Sequence, residues 1–117
     1  MTQTQAETLA ATYFDAWLAK DFARLRTVFA EDVTFDGPFA KIAGVDECMQ
    51  GLEGLSNITT AIEIRKVFVS GDDVLTWYDF STSVADTVPV ANWMHVEDGN
   101  IARIEVAFDA RGLASAS

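Results

Sequence analysis

The sequence is poor in the residues that build cross-linked, metal-bound or nucleotide-binding proteins. Its one cysteine, Cys48, allows no intramolecular disulfide or cysteine-based zinc site, and we expect a reduced, cytoplasmic setting. Its one histidine, His95, has no spaced carboxylate–histidine motif beside it, so the sequence gives a metal site no support. Gly-rich phosphate loops and nucleotide fingerprints are missing too, and no cofactor is expected.

Positive charge is also scarce. Eight Lys and Arg residues stand against 18 Asp and Glu, a net charge of −10 in 117 residues. Nucleic acids and anionic lipid surfaces attract positive footprints, so we expect neither as a partner. No stretch approaches the roughly 18 apolar residues of a membrane helix, and the N-terminal MTQTQAE lacks the features of a signal peptide. We therefore expect one soluble, acidic domain over residues 1–112, with a fraying tail at 113–117.

The first half of the chain shows helical patterns. Apolar residues recur at three- and four-residue spacing over residues 6–17, and Thr4 with Glu7 fits a capping box, which predicts a helix that starts near residue 4. Asp21 is a suitable cap for a short second helix, and a third helix is predicted after Gly44.

The rest of the chain favours strands. A short strand is predicted over residues 33–35, and four longer ones cover residues 61–69, 74–83, 88–97 and 101–108. Short turn signals separate the long strands, so we expect an antiparallel meander. Helices first and strands afterwards predict the α+β class.

The turns also predict which side chains share a face of the sheet. Asp98-Gly99 at the centre of the last hairpin places Trp93 opposite Ile104, and a turn after Ala85 places Tyr78 opposite Trp93. The more apolar face, predicted to line a core or pocket, then carries Thr76, Tyr78, Phe80, Ala91, Trp93, His95, Ile104, Val106 and Phe108. The outer face carries Trp77, Asp79, Asn92, Met94, Arg103 and Glu105. A one-residue slip of the register at the Ala85 turn would move Trp77 and Asp79 from the outer face to the inner face.

A concave, aromatic-lined sheet covered by an amphipathic helix suits a small-molecule pocket. The residues predicted to contact a small apolar ligand are Trp17, Phe39, Tyr78, Phe80, Trp93, Ile104, Val106 and Phe108. The alternative is that the same side chains fill an ordinary core, as most inward aromatic residues do.

Several local strings give the chain a family resemblance. They are Tyr13-Phe14-Asp15-Ala16-Trp17, Lys20-Asp21-Phe22, Phe29-Ala30-Glu31-Asp32-Val33-Thr34-Phe35, Gly37-Pro38, Gly44-Val45-Asp46-Glu47, Val96-Glu97-Asp98-Gly99-Asn100-Ile101 and Phe108-Asp109. The chain resembles the NTF2-like superfamily, most closely its SnoaL-like branch of polyketide cyclases and ketosteroid isomerase relatives. The resemblance implies a curved antiparallel sheet of the cystatin-like kind, wrapped around a pocket that the N-terminal helices close. It also implies a homodimer that pairs through the outer face of the sheet.

The resemblance further implies roles for single residues. Tyr13 matches the ketosteroid isomerase tyrosine that donates to a developing oxyanion, although a core tyrosine would look the same. The isomerase base matches Gly37 and its second acid matches Ala91, neither of which ionises. Asp36, one place earlier than Gly37, turns inward only if the strand bulges there. The limonene epoxide hydrolase branch activates water with an Asp–Arg–Asp relay, and the aspartate of that relay on the last strand matches Val106 here. These departures argue against ketosteroid isomerisation and epoxide hydrolysis.

Two functional hypotheses follow. The first is a cofactor-independent enzyme that cyclises, isomerises or dehydrates an apolar, carbonyl-bearing molecule, with Tyr13 polarising an oxygen and His95 or Asp36 moving the proton. The second is a non-catalytic domain that binds a small ligand or dimerises, which the missing family residues support. His95 alone does not decide between them, because a single inward histidine is at least as often a hydrogen-bonded core residue.

Overall fold

The computed structural model describes residues 4–39 and 41–112, so the tail expected at residues 113–117 lies outside the described residues. Over the described residues the elements are α1 Gln5–Leu18, α2 Phe22–Arg26, β1 Phe29–Asp36, β2 Lys41–Ala43, α3 Val45–Ser56, β3 Thr59–Ser70, β4 Asp73–Thr82, β5 Val88–Glu97 and β6 Asn100–Phe108. The predicted α+β class is confirmed. Among the described helices, none is long and apolar enough to cross a membrane.

Local sequence determines where the helices begin. Thr4 Oγ1 accepts a hydrogen bond of 3.1 Å from the Glu7 amide, so α1 starts with the predicted side-chain cap. Asp21 caps α2 in the same way by accepting a bond of 3.2 Å from the Arg24 amide. α3 follows Gly44, whose φ of 93° lies in the region that favours glycine.

The six strands form one curved sheet in the order β2-β1-β6-β5-β4-β3. Strands β3 to β6 make the predicted antiparallel meander. β1 joins the meander parallel to β6, and the short β2, which the sequence patterns do not predict, pairs antiparallel with β1. α1 packs across β3 to β6 and closes one side of the sheet.

Trp17 connects α1 to α3 and to the sheet. Its indole Nε1 donates a hydrogen bond of 3.0 Å to the Leu52 carbonyl of α3, and its ring stacks on Phe80 of β4 with centroids 6.1 Å apart. One side chain of α1 therefore contacts both α3 and the sheet, and Trp17, Leu52 and Phe80 are all buried.

The predicted pairing of β4 with β5 is wrong. The connection between them is longer than a tight turn, because Phe80 is paired with Val88. Leu75, rather than Tyr78, consequently lies opposite Trp93. The Ala-Asp-Thr turn signal lies inside this longer connection and does not mark its centre.

The predicted pairing of β5 with β6 holds only at the turn. Asp98-Gly99 does occupy the centre of the hairpin, but the register shifts by one residue at Ala102. Such a bulge inserts one residue in one strand, so Trp93 faces Glu105 instead of Ile104.

Both errors shift β5 by an odd number of residues, which exchanges its two faces. Asn92 and Met94, predicted to face outward, are each 1% exposed and point inward. Ala91, Trp93 and His95, predicted to face inward, lie on the outer face. The predicted faces of β4 and β6 are confirmed: Thr76, Tyr78, Phe80, Ile104, Val106 and Phe108 all point toward the helices.

Candidate functional site

A cavity of about 420 Å³ lies between the concave face of the sheet and the helices. Its size falls in the range of about 300–1,000 Å³ that is typical of small-molecule pockets. Its buried wall residues, here called the closed end, are Tyr13, Trp17, Cys48, Leu52, Tyr78, Phe80 and Val90. Its exposed wall residues, here called the mouth, are Pro38, Phe39, Gln50, Gly51 and Gly54.

The closed end holds two buried phenols. Tyr13 of α1 and Tyr78 of β4 are 2% and 4% exposed. Phe14 lies between them and makes an edge-to-face contact with each ring, with centroids 4.9 Å from Tyr13 and 5.1 Å from Tyr78. Within the described residues neither hydroxyl has a hydrogen bond of good geometry, and neither is sealed from the cavity that both rings line. Both O–H groups are therefore available to a ligand.

Burial sets the protonation state of the closed end. Desolvation raises the pKa of Tyr13 well above its usual value, Tyr78 and Cys48 raise it further, and the Asn92 amide partly opposes them. Burial also raises the pKa of Tyr78, again opposed by Asn92, and burial raises the pKa of the Cys48 thiol to about 11. All three groups are neutral at pH 7, and no residue of the described wall carries a formal charge. The phenols therefore act as donors, not as phenolates.

Asn92 is a buried amide without partners. It lies close enough to Tyr13 and Tyr78 to lower the pKa of both phenols, yet is not in hydrogen-bonding geometry with either hydroxyl. Within the described residues its Oδ1 and Nδ2 make no hydrogen bond of good geometry, and the contacts with the two phenols are only weak ones. An unpaired buried polar group costs about 1–3 kcal/mol, so its presence beside two phenols points to a role other than stability.

The structure brings most of the predicted contact residues to the cavity. Tyr13, Trp17, Phe39, Tyr78, Phe80, Val106 and Phe108 line it. Ile104 is 0% exposed and lies in the core instead of the cavity wall. The contact of these side chains with a ligand, and the catalytic role of Tyr13, stay predictions.

Asp36, Trp93 and His95 do not reach the cavity. The exchanged faces of β5 place Trp93 and His95 on the outer side of the sheet. Asp36 pairs in regular register with Lys41 and Glu105, so no bulge turns it inward and strand alternation directs it outward. The predicted positions of Trp93 and His95 on the pocket face are wrong, and the strand does not bulge at Asp36 as a catalytic role for that residue required. Within the described wall neither a carboxylate nor an imidazole is available as a general base.

Sequence reasoning missed Asn92 and the contribution of α3. The signal for Asn92 is its parity with Val90, Met94 and Val96, an apolar alternation that places it inward whatever the turn length. α3 supplies Cys48 and Leu52 to the closed end and two glycines to the mouth. No local sequence pattern indicates that α3 covers this part of the sheet, because the position of α3 depends on the path of β1 and β2.

On the outer face His95 ties β4 to β5. Its Nδ1 lies 2.8 Å from Asp73 Oδ1, and its Nε2 lies 3.4 Å from Glu97 Oε1. Asp73 Oδ1 also accepts a hydrogen bond of 3.0 Å from the Trp93 indole. The hydrogen bond to Asp73 is the main cause of the raised pKa of His95, and the same bond lowers the pKa of Asp73. The cluster is a structural link, remote from the cavity.

The chain is similar to one protein family and to several solved structures. A family model described as a SnoaL-like domain matches residues 10–104. A search of curated proteins gives no significant match. A solved structure from Kribbella flavida is 26% identical, with a TM-score of 0.90 over 97% of this chain and 94% of that chain. A provisionally assigned polyketide cyclase from Sinorhizobium meliloti is 25% identical, with a TM-score of 0.79 over 85% of this chain and 93% of that chain. A steroid delta-isomerase from Pseudomonas aeruginosa shares the fold at 18% identity, with a TM-score of 0.81 over 97% of this chain and 86% of that chain.

Replacing Asn92 by leucine should stabilise the protein. Asn92→Leu removes two unpaired buried polar atoms and keeps the branched shape, so we expect the free energy of unfolding to rise by about 1–3 kcal/mol in urea denaturation. Asn92→Ala is the size control and should be less stable than the leucine variant, because it leaves a void. A leucine variant that is less stable than the wild type would show that the amide is well partnered.

The stabilising effect of His95 should fade as pH rises. Because the pKa of His95 in the folded protein is raised above its usual 6.5, its contribution is complete below that pH and is lost as the pH rises through the folded-state value. We expect the difference in Tm between the wild type and His95→Gln, followed by circular dichroism from about pH 5.5 to 9, to shrink steadily. This range stays above the pH at which Asp73, with its lowered pKa, titrates. A difference that stays constant or grows with pH would contradict the assignment.

Proposed function

The chain belongs to the SnoaL-like domain family of the NTF2-like fold. From this premise we propose that it binds a small, largely apolar, carbonyl-bearing molecule, with the carbonyl oxygen at the hydroxyls of Tyr13 and Tyr78. The family resemblance predicted from the sequence is confirmed. The observation that carries the proposal is the pairing of an uncharged apolar cavity with two neutral donors at its closed end. Pockets of this composition bind by apolar contact and orient by a few polar groups.

The phenols are suited to polarise a carbonyl. A hydrogen bond inside a cavity with few polar groups is electrostatically stronger than one in water. An oxygen that accepts from both hydroxyls gains stabilisation of any negative charge that develops on it, which is the requirement of enolisation, cyclisation and isomerisation chemistry. The raised pKa values keep both hydroxyls protonated, so the donors persist across the physiological range.

Asn92 acts as a positioning residue behind the phenols. Its amide is sealed from the cavity, so it does not itself touch the ligand. When a ligand oxygen draws the phenols into place, the Asn92 Nδ2–H group is positioned to donate to a phenol oxygen. That bond strengthens the phenol O–H as a donor, because hydrogen bonds in a chain polarise one another. Ligand binding then satisfies a group that otherwise destabilises the fold.

We propose catalysis of the cyclase or isomerase type as the use of this polarised carbonyl. The cavity wall offers electrophilic assistance and confinement, and positioning alone supplies a large share of many rate enhancements. The second candidate is ligand binding without turnover. The observation that favours it is the described wall itself, which holds neither carboxylate nor imidazole to move a proton. Binding of ketones that are recovered unchanged, across a panel of enolisable and cyclisable substrates, would favour this second candidate.

Removing either hydroxyl should weaken ketone binding selectively. For 2-acetylnaphthalene we expect Tyr13→Phe and Tyr78→Phe each to raise the Kd by about 3- to 10-fold, because each loses one hydrogen bond to the carbonyl. In the wild type, the carbonyl stretch of the bound 13C-labelled ketone should move to lower frequency in infrared difference spectra. It should move back part of the way in each variant.

The matched control is 2-isopropenylnaphthalene, which replaces the carbonyl oxygen by a CH2 group of similar shape. Its affinity should not fall in either phenylalanine variant. Equal losses for the ketone and the hydrocarbon would mean that the phenols act only through packing. An unshifted carbonyl stretch in the wild type would contradict the proposed orientation.

We also propose a homodimer that forms through the outer face of the sheet. Phe68, Leu75 and Trp93 are cross-strand neighbours on β3, β4 and β5, and they form an apolar row on that face. Phe68 is 57% exposed and Leu75 is 41% exposed. Contiguous exposed apolar side chains are typical of contact surfaces, whereas scattered ones are not.

A charge placed in this row should dissociate the dimer. We expect Leu75→Glu to convert the protein to a monomer in sedimentation equilibrium, because it buries a carboxylate in an apolar contact. Val84→Glu is the control, since Val84 is 44% exposed but lies in the connection between β4 and β5. A wild-type protein that is monomeric at ~100 μM would contradict the proposal.

A further inference from the structure

The mouth of the cavity is formed by two segments. Pro38 and Phe39 belong to the connection between β1 and β2, and the remaining mouth residues belong to α3. Phe39 is 59% exposed although it is a large apolar side chain, and its ring makes an edge-to-face contact with Phe108, centroids 6.0 Å apart. An apolar rim of this kind is solvated unless a ligand covers it.

Two glycines lie inside α3 on the cavity wall. Glycine weakens a helix interior more than any residue except proline. The described glycines with positive φ are Gly44, Gly71 and Gly99, so the backbone conformation at Gly51 and Gly54 does not demand glycine. What distinguishes each position is therefore the space that a side chain would occupy.

Protein packing does not demand glycine at either position. A Cβ added at Gly51 would lie 3.4 Å from Ile42 Cδ1, an ordinary contact with the end of a flexible side chain. A Cβ added at Gly54 would meet no atom within 4 Å. Neither conformation nor protein packing accounts for Gly54, which is one of the residues that line the mouth of the cavity.

We propose that Gly54 is the position that sets ligand size, because its missing side chain lets an elongated apolar body pass over the α3 backbone to the rim at Phe39. This inference rests on the proposed function and extends it. The ligand class is a ketone whose oxygen lies at the phenols and whose apolar body extends to the mouth, rather than a small ketone confined to the closed end.

A series of 4-n-alkylacetophenones tests the inference. In the wild type, the affinity should rise by about 4-fold for each CH2 group that is buried and level off once the chain passes the rim. In Gly54→Leu the increase should stop at a shorter chain, and the octyl ketone should bind more than about tenfold more weakly than to the wild type. The 4-methyl ketone should bind both proteins alike. Gly54→Ala, which adds only a methyl group, should show a smaller effect.

Glu53→Leu is the matched control. It places the same side chain one position away on the exposed side of α3, where Glu53 does not line the cavity, and should follow the wild type at every chain length. Thermal unfolding of all variants verifies folding, and leucine at position 54 should not lower the Tm because it favours helix over glycine.

The outcomes separate the two proposals. A 4-methyl ketone that does not bind, or whose affinity does not depend on Tyr13, overturns the proposed function. A 4-methyl ketone that binds through Tyr13, with the same chain-length limit in the wild type and Gly54→Leu, overturns the role of Gly54 alone.

Discussion

The packing of α1 against the concave face of the sheet is the contact on which the site depends. It removes Tyr13, Tyr78 and Asn92 from water, since α1 carries the first and covers the other two. In water these groups would be ordinary phenols and an ordinary amide. Under the helix the phenols are held neutral by desolvation, and the amide is left without partners. Burial thus keeps the phenols as neutral hydrogen-bond donors and leaves the amide with hydrogen-bonding capacity that a ligand complex can satisfy.

The sheet separates charge from the cavity. On the outer face Asp73 pairs with His95, Arg65 lies 3.6 Å from Asp79, and the Arg103 guanidinium lies 5.5 Å from the centre of the Trp93 ring. The described residues that line the cavity on the inner face carry no formal charge. A chain with a net charge of −10 can therefore enclose a neutral cavity, because strand alternation directs Asp73, Asp79 and Glu105 outward. That neutrality favours an uncharged ligand.

Element type was predictable because helix caps and apolar periodicity are local. Thr4, Asp21 and Gly44 mark helix starts that the structure confirms. The faces of β5 were not predictable from its turns, because a long connection before Val88 and a bulge at Ala102 each shift the register by an odd number of residues. Tyr13 was predictable from the helical spacing of α1, and Tyr78 shares its face with the apolar residues Val74 and Phe80 of β4. The partnerless state of Asn92 is a property of three-dimensional packing, and no sequence pattern encodes it.

The most direct test of the central claim is a crystal structure of the protein with 2-acetylnaphthalene. The account predicts the ketone inside the cavity, its carbonyl oxygen about 2.5–3.0 Å from the hydroxyl oxygens of Tyr13 and Tyr78. It also predicts that the Asn92 amide is hydrogen-bonded to a phenol in that complex. A ketone bound with its oxygen toward the mouth, or bound on the outer face near Trp93 and His95, would contradict the account.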